Sequence, residues 1–148
     1  YTLTLEKKKL ISLEEELKLV EDYLNLEKIR LEERLIYEIN TSSSCLHYQV
    51  PPMLIQTLVE NAIKHGISRL IKGGKLIINS KSDRAFLIME IINSGQYEPN
   101  GLKNEQASGF GIENSIQRLQ FLFGDQSTFE IRNLNKNEVI TILKIPKK

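Results

Sequence analysis

The stretch Val50-Pro51-Pro52-Met53-Leu54-Ile55-Gln56-Thr57-Leu58-Val59-Glu60-Asn61-Ala62-Ile63-Lys64-His65-Gly66 decides how this chain of 148 residues is read. The proline pair marks a helix start, because a first-turn residue has no intrahelical partner for its N–H. Gly66 supplies a stop. At about 100° per residue, Leu58, Ala62, Ile55, Val59 and Ile63 share one arc of the helix Pro52–His65. Glu60, Lys64, Thr57, Asn61 and His65 fill the opposite arc. On the wheel alone this is an amphipathic helix with a solvated polar face. The neighbouring segments decide whether that face carries chemistry.

Upstream, Ser12 and Glu15 have the spacing of a capping box, so a helix should start there. Leu13, Leu17, Val20, Leu24, Leu31 and Leu35 form an apolar stripe, widened by Leu19, Tyr23 and Leu26. No Gly or Pro interrupts it, and a helix over 12–34 is predicted. A stripe this wide can pack on a domain, on a partner helix, or on both; contact with both fits its width best. Residues 35–40 alternate and read as a strand. Downstream of Gly66, Gly73-Gly74 is a turn. Residues 75–82 and 84–93 read as a hairpin around Ser82-Asp83. Residues 94–109 form a long polar loop, the kind that is functional or disordered. Ile112, Ile116, Leu119 and Phe123 give a helix over 111–123, ended by Gly124. Residues 127–133 and 138–145 read as a second hairpin. The order helix, strand, helix, two strands, loop, helix, two strands is that of an α+β two-layer sandwich. Helices cover one face of a mixed sheet, and an N-terminal helical arm precedes it. The division expected is 1–34 for the arm and 35–148 for the sandwich.

Composition narrows the classes. Lys+Arg is 20 and Asp+Glu is 19, a net charge of +1. That near-balance argues against a nucleic-acid binder working by bulk charge. One cysteine, Cys45, allows neither an intrachain disulfide nor a CxxC metal site. With only His47 and His65, zinc is a poor fit. No apolar run approaches the ~20 residues of a membrane helix, and no signal peptide is present. Cys45 and the basic run Lys7–Lys9 read as structural or solvated. Tyr1 in place of Met suggests a piece of a longer protein, with any membrane or sensory part elsewhere.

Two further features bear on the polar arc. A strand ends in Asn93-Ser94-Gly95, and a helix starts at Gly109-Phe110-Gly111. Backbone amides at a glycine-rich helix start can hold an anion. An Asn and a Glu on one helix face can hold magnesium through oxygen. Alone, the Gly109–Gly111 pair reads equally as a plain turn; the combination in this order is the stronger signal.

The stretch Leu58–Gly66 closely resembles the N box of sensor histidine kinases of the LytS-like type. Leu13-Glu14-Glu15-Glu16-Leu17 and Tyr23–Leu31 resemble the helix that precedes that family's ATP-binding domain. Val50–Gln56 matches its approach to the N box, and Gly109–Asn114 with Arg118-Leu119 resembles its second glycine box. The resemblance covers nearly the whole chain from about Ile11. It implies the Bergerat fold of GHKL ATP-binding proteins, with ATP and magnesium as cofactors. By that resemblance Asn61 is the magnesium ligand, and Glu60 supports the metal or its waters. Lys64 faces the phosphates, with His65 beside it. Asn93 stands where the family has the Asp that accepts the adenine amino group. Gly95 admits the base, Gly109 and Gly111 sit in the lid and helix start over the phosphates, and Thr141 holds the adenine through water. The implied partners are a phosphoacceptor histidine domain of the parent protein and a response regulator. The parent is expected to be a homodimer anchored in the cell membrane, with this part cytoplasmic.

Three departures stand out. Asn93 replaces Asp, which removes charge assistance from the adenine bond. Tyr97, Ala107 and Phe110 erode the glycine boxes. The phosphoacceptor histidine is absent, so this chain alone should not autophosphorylate. A hydrolase of the same superfamily places a Glu one turn before the Asn; here Thr57 occupies that position and cannot act as a general base. That favours a kinase. The alternative from another class is a degenerate, non-catalytic module that keeps the fold for partner binding or signal transmission.

Overall fold

The computed structural model describes residues 10–96 and 106–146; for residues 68, 106–112, 114 and 115 it describes the backbone only. Strand β1 (Ile11–Ser12) leads into helix α1 (Leu13–Leu31), a single 3-10 turn (Glu32–Arg34) and strand β2 (Leu35–Thr41). Strand β3 (Gln49–Val50), helix α2 (Leu54–His65) and strands β4 (Gly74–Ser82) and β5 (Phe86–Ser94) follow. Helix α3 (Gln106–Phe123) and strands β6 (Thr128–Asn133) and β7 (Glu138–Pro146) complete the described chain.

Five strands form one sheet in the order β2-β4-β5-β7-β6. The β2–β4 pair is parallel and the other three pairs are antiparallel. A parallel pair needs a crossover, and α2 is that crossover. Thus the helix that carries the polar arc is also the connection on which the sheet order depends. Inner-face residues Leu76 and Ile78, Leu87, Met89 and Ile91, Leu143 and Ile145 are buried under the helices. They meet Leu54, Ile55, Val59 and Ile63 of α2 and Leu119 and Phe123 of α3 in one cluster.

Helix α1 belongs to the same cluster. Its capping box forms as expected, with the Glu15 amide donating to Ser12 Oγ at 3.1 Å. Leu13, Leu17, Val20, Leu24 and Leu31 are all buried. Five such side chains contribute roughly 10 kcal/mol gross by area, an upper bound. That exceeds anything a surface ion pair could supply. Leu19, Leu26 and Ile29 point outward and are exposed. The stripe is therefore split between an inner and an outer face.

Three helix boundaries differ from expectation. Helix α2 begins at Leu54 and not at Pro52, because Met53 takes a left-handed N-cap conformation, so both prolines precede the helix. The first helix ends at Leu31 rather than at 34, because Glu32 turns to φ 54° and closes it. Helix α3 begins at Gln106 and not at Gly111. Gly109 and Gly111 therefore lie inside its first turns instead of at a loop-to-helix junction. Each glycine costs about 1 kcal/mol relative to alanine in a helix. The good helix formers Gln106 and Ala107 and the apolar stripe that follows outweigh that local penalty. The Lys7–Lys9 run and Tyr97 lie outside the described residues, as does most of the 94–109 loop.

Candidate functional site

The polar arc of α2 emerges as read. Thr57, Glu60, Asn61 and His65 are half-buried and Lys64 is exposed, while the apolar arc is in the core. Asn61 Nδ2 donates to the Thr57 carbonyl one turn back, at 3.1 Å. A carbonyl can only accept, so this bond fixes the amide orientation. Asn61 Oδ1 is left as the outward end, the atom a hard cation requires. Among the described residues no group of three or more His, Cys, Asp or Glu side chains could hold a metal. A magnesium ion here would thus rely on Asn61, water and phosphate oxygens, which is its usual habit in nucleotide sites. Glu60 Oε2 accepts from Gln56 Nε2 at 3.0 Å, on the α1 side of the helix. That position suits a carboxylate holding a metal-bound water better than a direct ligand. The His65 ring lies 3.3 Å from Arg69 Nη2.

The C-terminal end of α2 runs into β5. A Cβ on Gly66 would lie 2.4 Å from Asn93 Nδ2 and 2.9 Å from the Ser94 carbonyl. A Cβ on Gly95 would lie 3.1 Å from Gly66 Cα, and Gly95 holds φ +134°, which disfavours any side chain. Gly66 and Gly95 therefore meet backbone to backbone. Asn93, 5% exposed, sits against this contact. Its Nδ2 donates to the Ser94 carbonyl at 3.0 Å. The same argument as for Asn61 makes Oδ1 its other end, an acceptor. Thr141 is buried on β7, opposite Ile91 in the register that pairs Asn93 with Val139. Asn93 and Thr141 thus share the inner sheet face on adjacent strands, two positions apart along the register. The end of β5 is tied down by Gly95 N to Asn137 O at 2.9 Å and Gln96 Nε2 to Lys136 O at 3.0 Å.

Sequence reasoning missed one residue. Helix α2 has no side-chain cap of its own; its N-cap is Met53, in the left-handed region at φ 69°. The cap comes from α1. Glu16, fully buried, accepts from the Met53 amide at 2.9 Å and the Gln56 amide at 3.1 Å. Burial pushes its carboxyl pKa up, while the Met53, Gln56 and Ile55 amides and Arg118 of α3 pull it down. The available signal was its position: Glu16 stands on the apolar stripe of α1, between Leu13 and Val20, where a charge needs a partner.

A protein-family model described as histidine kinase matches residues 1–35. The chain is 32% identical over 132 residues to the sensor protein LytS of Staphylococcus saprophyticus, covering 83% of this chain and 22% of LytS. It is 36% identical over 116 residues to the sensor histidine kinase BtsS of Escherichia coli strain K12, covering 78% of this chain and 20% of BtsS. The chain spans about a fifth of the length of these curated relatives. The solved catalytic domain of histidine kinase ThkA matches with a TM-score of 0.69 at 20% identity, over 93% of this chain and 94% of that one. ThkA in complex with the response regulator protein TrrA matches with a TM-score of 0.64 at 21% identity, over 94% of this chain and 41% of ThkA. The fold is that of histidine kinase catalytic domains: the α/β sandwich expected from the sequence, with its N-terminal helix.

Proposed function

We propose that this chain, whose relatives by sequence are sensor histidine kinases, is the ATP-binding catalytic domain of a two-component kinase. It binds Mg-ATP and presents the γ-phosphate to a histidine outside residues 1–148; an Asp of a response regulator receives the phosphoryl group next. Residues 1–34 are the end of the dimerisation region and 35–148 the catalytic domain. The parent protein is a homodimer anchored in the cell membrane, with this domain on the cytoplasmic side.

One observation carries the reading. Asn61 and Asn93 each spend their NH₂ on a backbone carbonyl and keep an oxygen acceptor for a ligand. The first suits a cation and the second an amino group. Five residues of helix, roughly 7.5 Å of rise, separate Asn61 from the Gly66 contact with Asn93. One nucleotide can touch both.

The division of labour follows. Asn61 would hold the metal directly and Glu60 through water. Magnesium, when bound, neutralises phosphate oxygens as charge shifts in the transfer. Lys64 and His65 face the phosphates. Asn93 accepts from the adenine amino group, Gly95 and Gly66 leave room for the base, and Thr141 acts through water. Positioning and electrostatics do most of the work in phosphoryl transfer. Thr57 supplies no base to activate water, so ATP is held for transfer and not for hydrolysis. No observation favours the degenerate module.

The adenine assignment is tested by Asn93→Asp. A charge-assisted bond is roughly twice as strong as a neutral one, so selectivity for ATP over GTP should rise severalfold in competition titrations. Unchanged selectivity would remove Asn93 from the adenine. Phosphate release by the wild type should stay at background.

A further inference from the structure

We infer that Glu16 is a positioning residue: by clasping the N-terminal end of α2 it fixes where that helix presents Asn61, so the placement of α1 sets the geometry of the metal site. This rests on the reading of Asn61 as the magnesium ligand.

Glu16 is the one charged side chain fully buried among the described residues. It reaches across 37 residues of sequence to Met53. A buried carboxylate cannot trade its amide partners for water, so its loss leaves those amides unsatisfied. The clasp therefore ties the placement of α1 to the first turn of α2. Met53 adds to this: its left-handed backbone is an unfavourable conformation for a bulky residue, and the same residue gives its amide to Glu16.

A route leads from the clasp to the site. Gln56 gives its amide to Glu16 and its side-chain Nε2 to Glu60, the residue next to Asn61. Tyr23, about two helical turns further along α1, is near enough to Glu60 to feel its charge; burial first, then Glu27 and Glu60, push its hydroxyl pKa up. Helix α1 thus holds α2 by hydrogen bonds at its first turn and carries Tyr23 within electrostatic range of Glu60. Arg118 of α3 is near enough to Glu16 for the two charges to attract. A displacement of α1 would be felt at Asn61 without any contact between α1 and nucleotide.

The test is calorimetric titration of this chain and of Glu16→Gln with ATP, in magnesium and in EDTA, at a temperature where circular dichroism shows both folded. Gln keeps the shape but sets an NH₂ against amide donors. The magnesium enhancement of ATP binding should fall about tenfold, with binding in EDTA changed less than twofold. A merely structural glutamate would leave the enhancement intact, and that result overturns the inference. Amide hydrogen exchange separates this from failure of the functional reading. In Glu16→Gln, protection should drop from Gln56 through Asn61 whether or not nucleotide binds. Loss confined to the first turn, or none, overturns the inference even if the wild type binds no ATP. Should Glu16→Gln not fold, Glu16→Asp, which keeps the charge one methylene short, carries the same comparison.

Discussion

At its N-terminal end α2 is held by a carboxylate that arrives from α1; at its C-terminal end it is held by the absence of side chains, Gly66 lying against Gly95 and Asn93. The first end is buried charge in apolar surroundings. The second is a close backbone approach that leaves Asn93 and Asn61 with acceptor oxygens to offer. The difference teaches where each kind of change can enter. The glycine end is shaped for a ligand and tolerates no added atoms. The glutamate end is shaped by another helix and tolerates no lost acceptor.

Breaking the glutamate end should have the largest effect. Glu16→Ala takes the carboxylate acceptor from the part-buried amides of Met53 and Gln56, at about 1–3 kcal/mol each. It also leaves the left-handed Met53 unsupported. A loss of about 3–4 kcal/mol in urea unfolding is expected. The glycine end comes next. Gly66→Ala places a Cβ 2.4 Å from Asn93 Nδ2 and 2.7 Å from the Ala62 carbonyl. Overpacking of this kind costs about 1–3 kcal/mol, and ATP binding should weaken with it, since the shift falls on Asn93. A Gly66→Ala variant with unchanged ATP affinity would place the base elsewhere.

The smallest effects sharpen the contrast through pH. Asp83 in the β4–β5 turn accepts from the Ala85 and Phe86 amides at 2.9 and 2.8 Å, and those bonds hold its carboxyl below the usual range. Its contribution is present above the ordinary carboxyl pKa of 3.8 and is lost as pH falls through the lowered value. Glu16 has the opposite sign. Its raised pKa means the folded state holds the proton more tightly, so stability declines as pH rises from 4.5 through the raised value. Asp83→Asn should flatten the acid limb of a stability–pH curve. Glu16→Gln should remove the decline above it.

Much of this was legible in the sequence, and for a physical reason. The arcs of α2, the capping box at Ser12 and the two hairpins are local signals, set by residues within a few positions of one another. They gave the element order, the α+β class and the side of α2 that carries Asn61. Contacts between distant segments were not legible. The β1–β3 pair is two residues long on each side and has no pattern to read. The start of α3 was misplaced because a glycine penalty is local and the burial that outweighs it is tertiary. Glu16 follows Glu14 and Glu15 in sequence, yet those two face solvent and it does not. Only its place on the stripe, and the lack of any capping side chain at Met53, hinted at the clasp.

The central claim, that the polar face of α2 holds Mg-ATP through Asn61, is tested most directly by calorimetric titration of Mg-ATP into this chain and into Asn61→Ala. Saturable one-to-one binding by the wild type is expected, lost in Asn61→Ala while circular dichroism shows the fold intact. Equal binding by the two proteins, or none by a folded wild type, would contradict it.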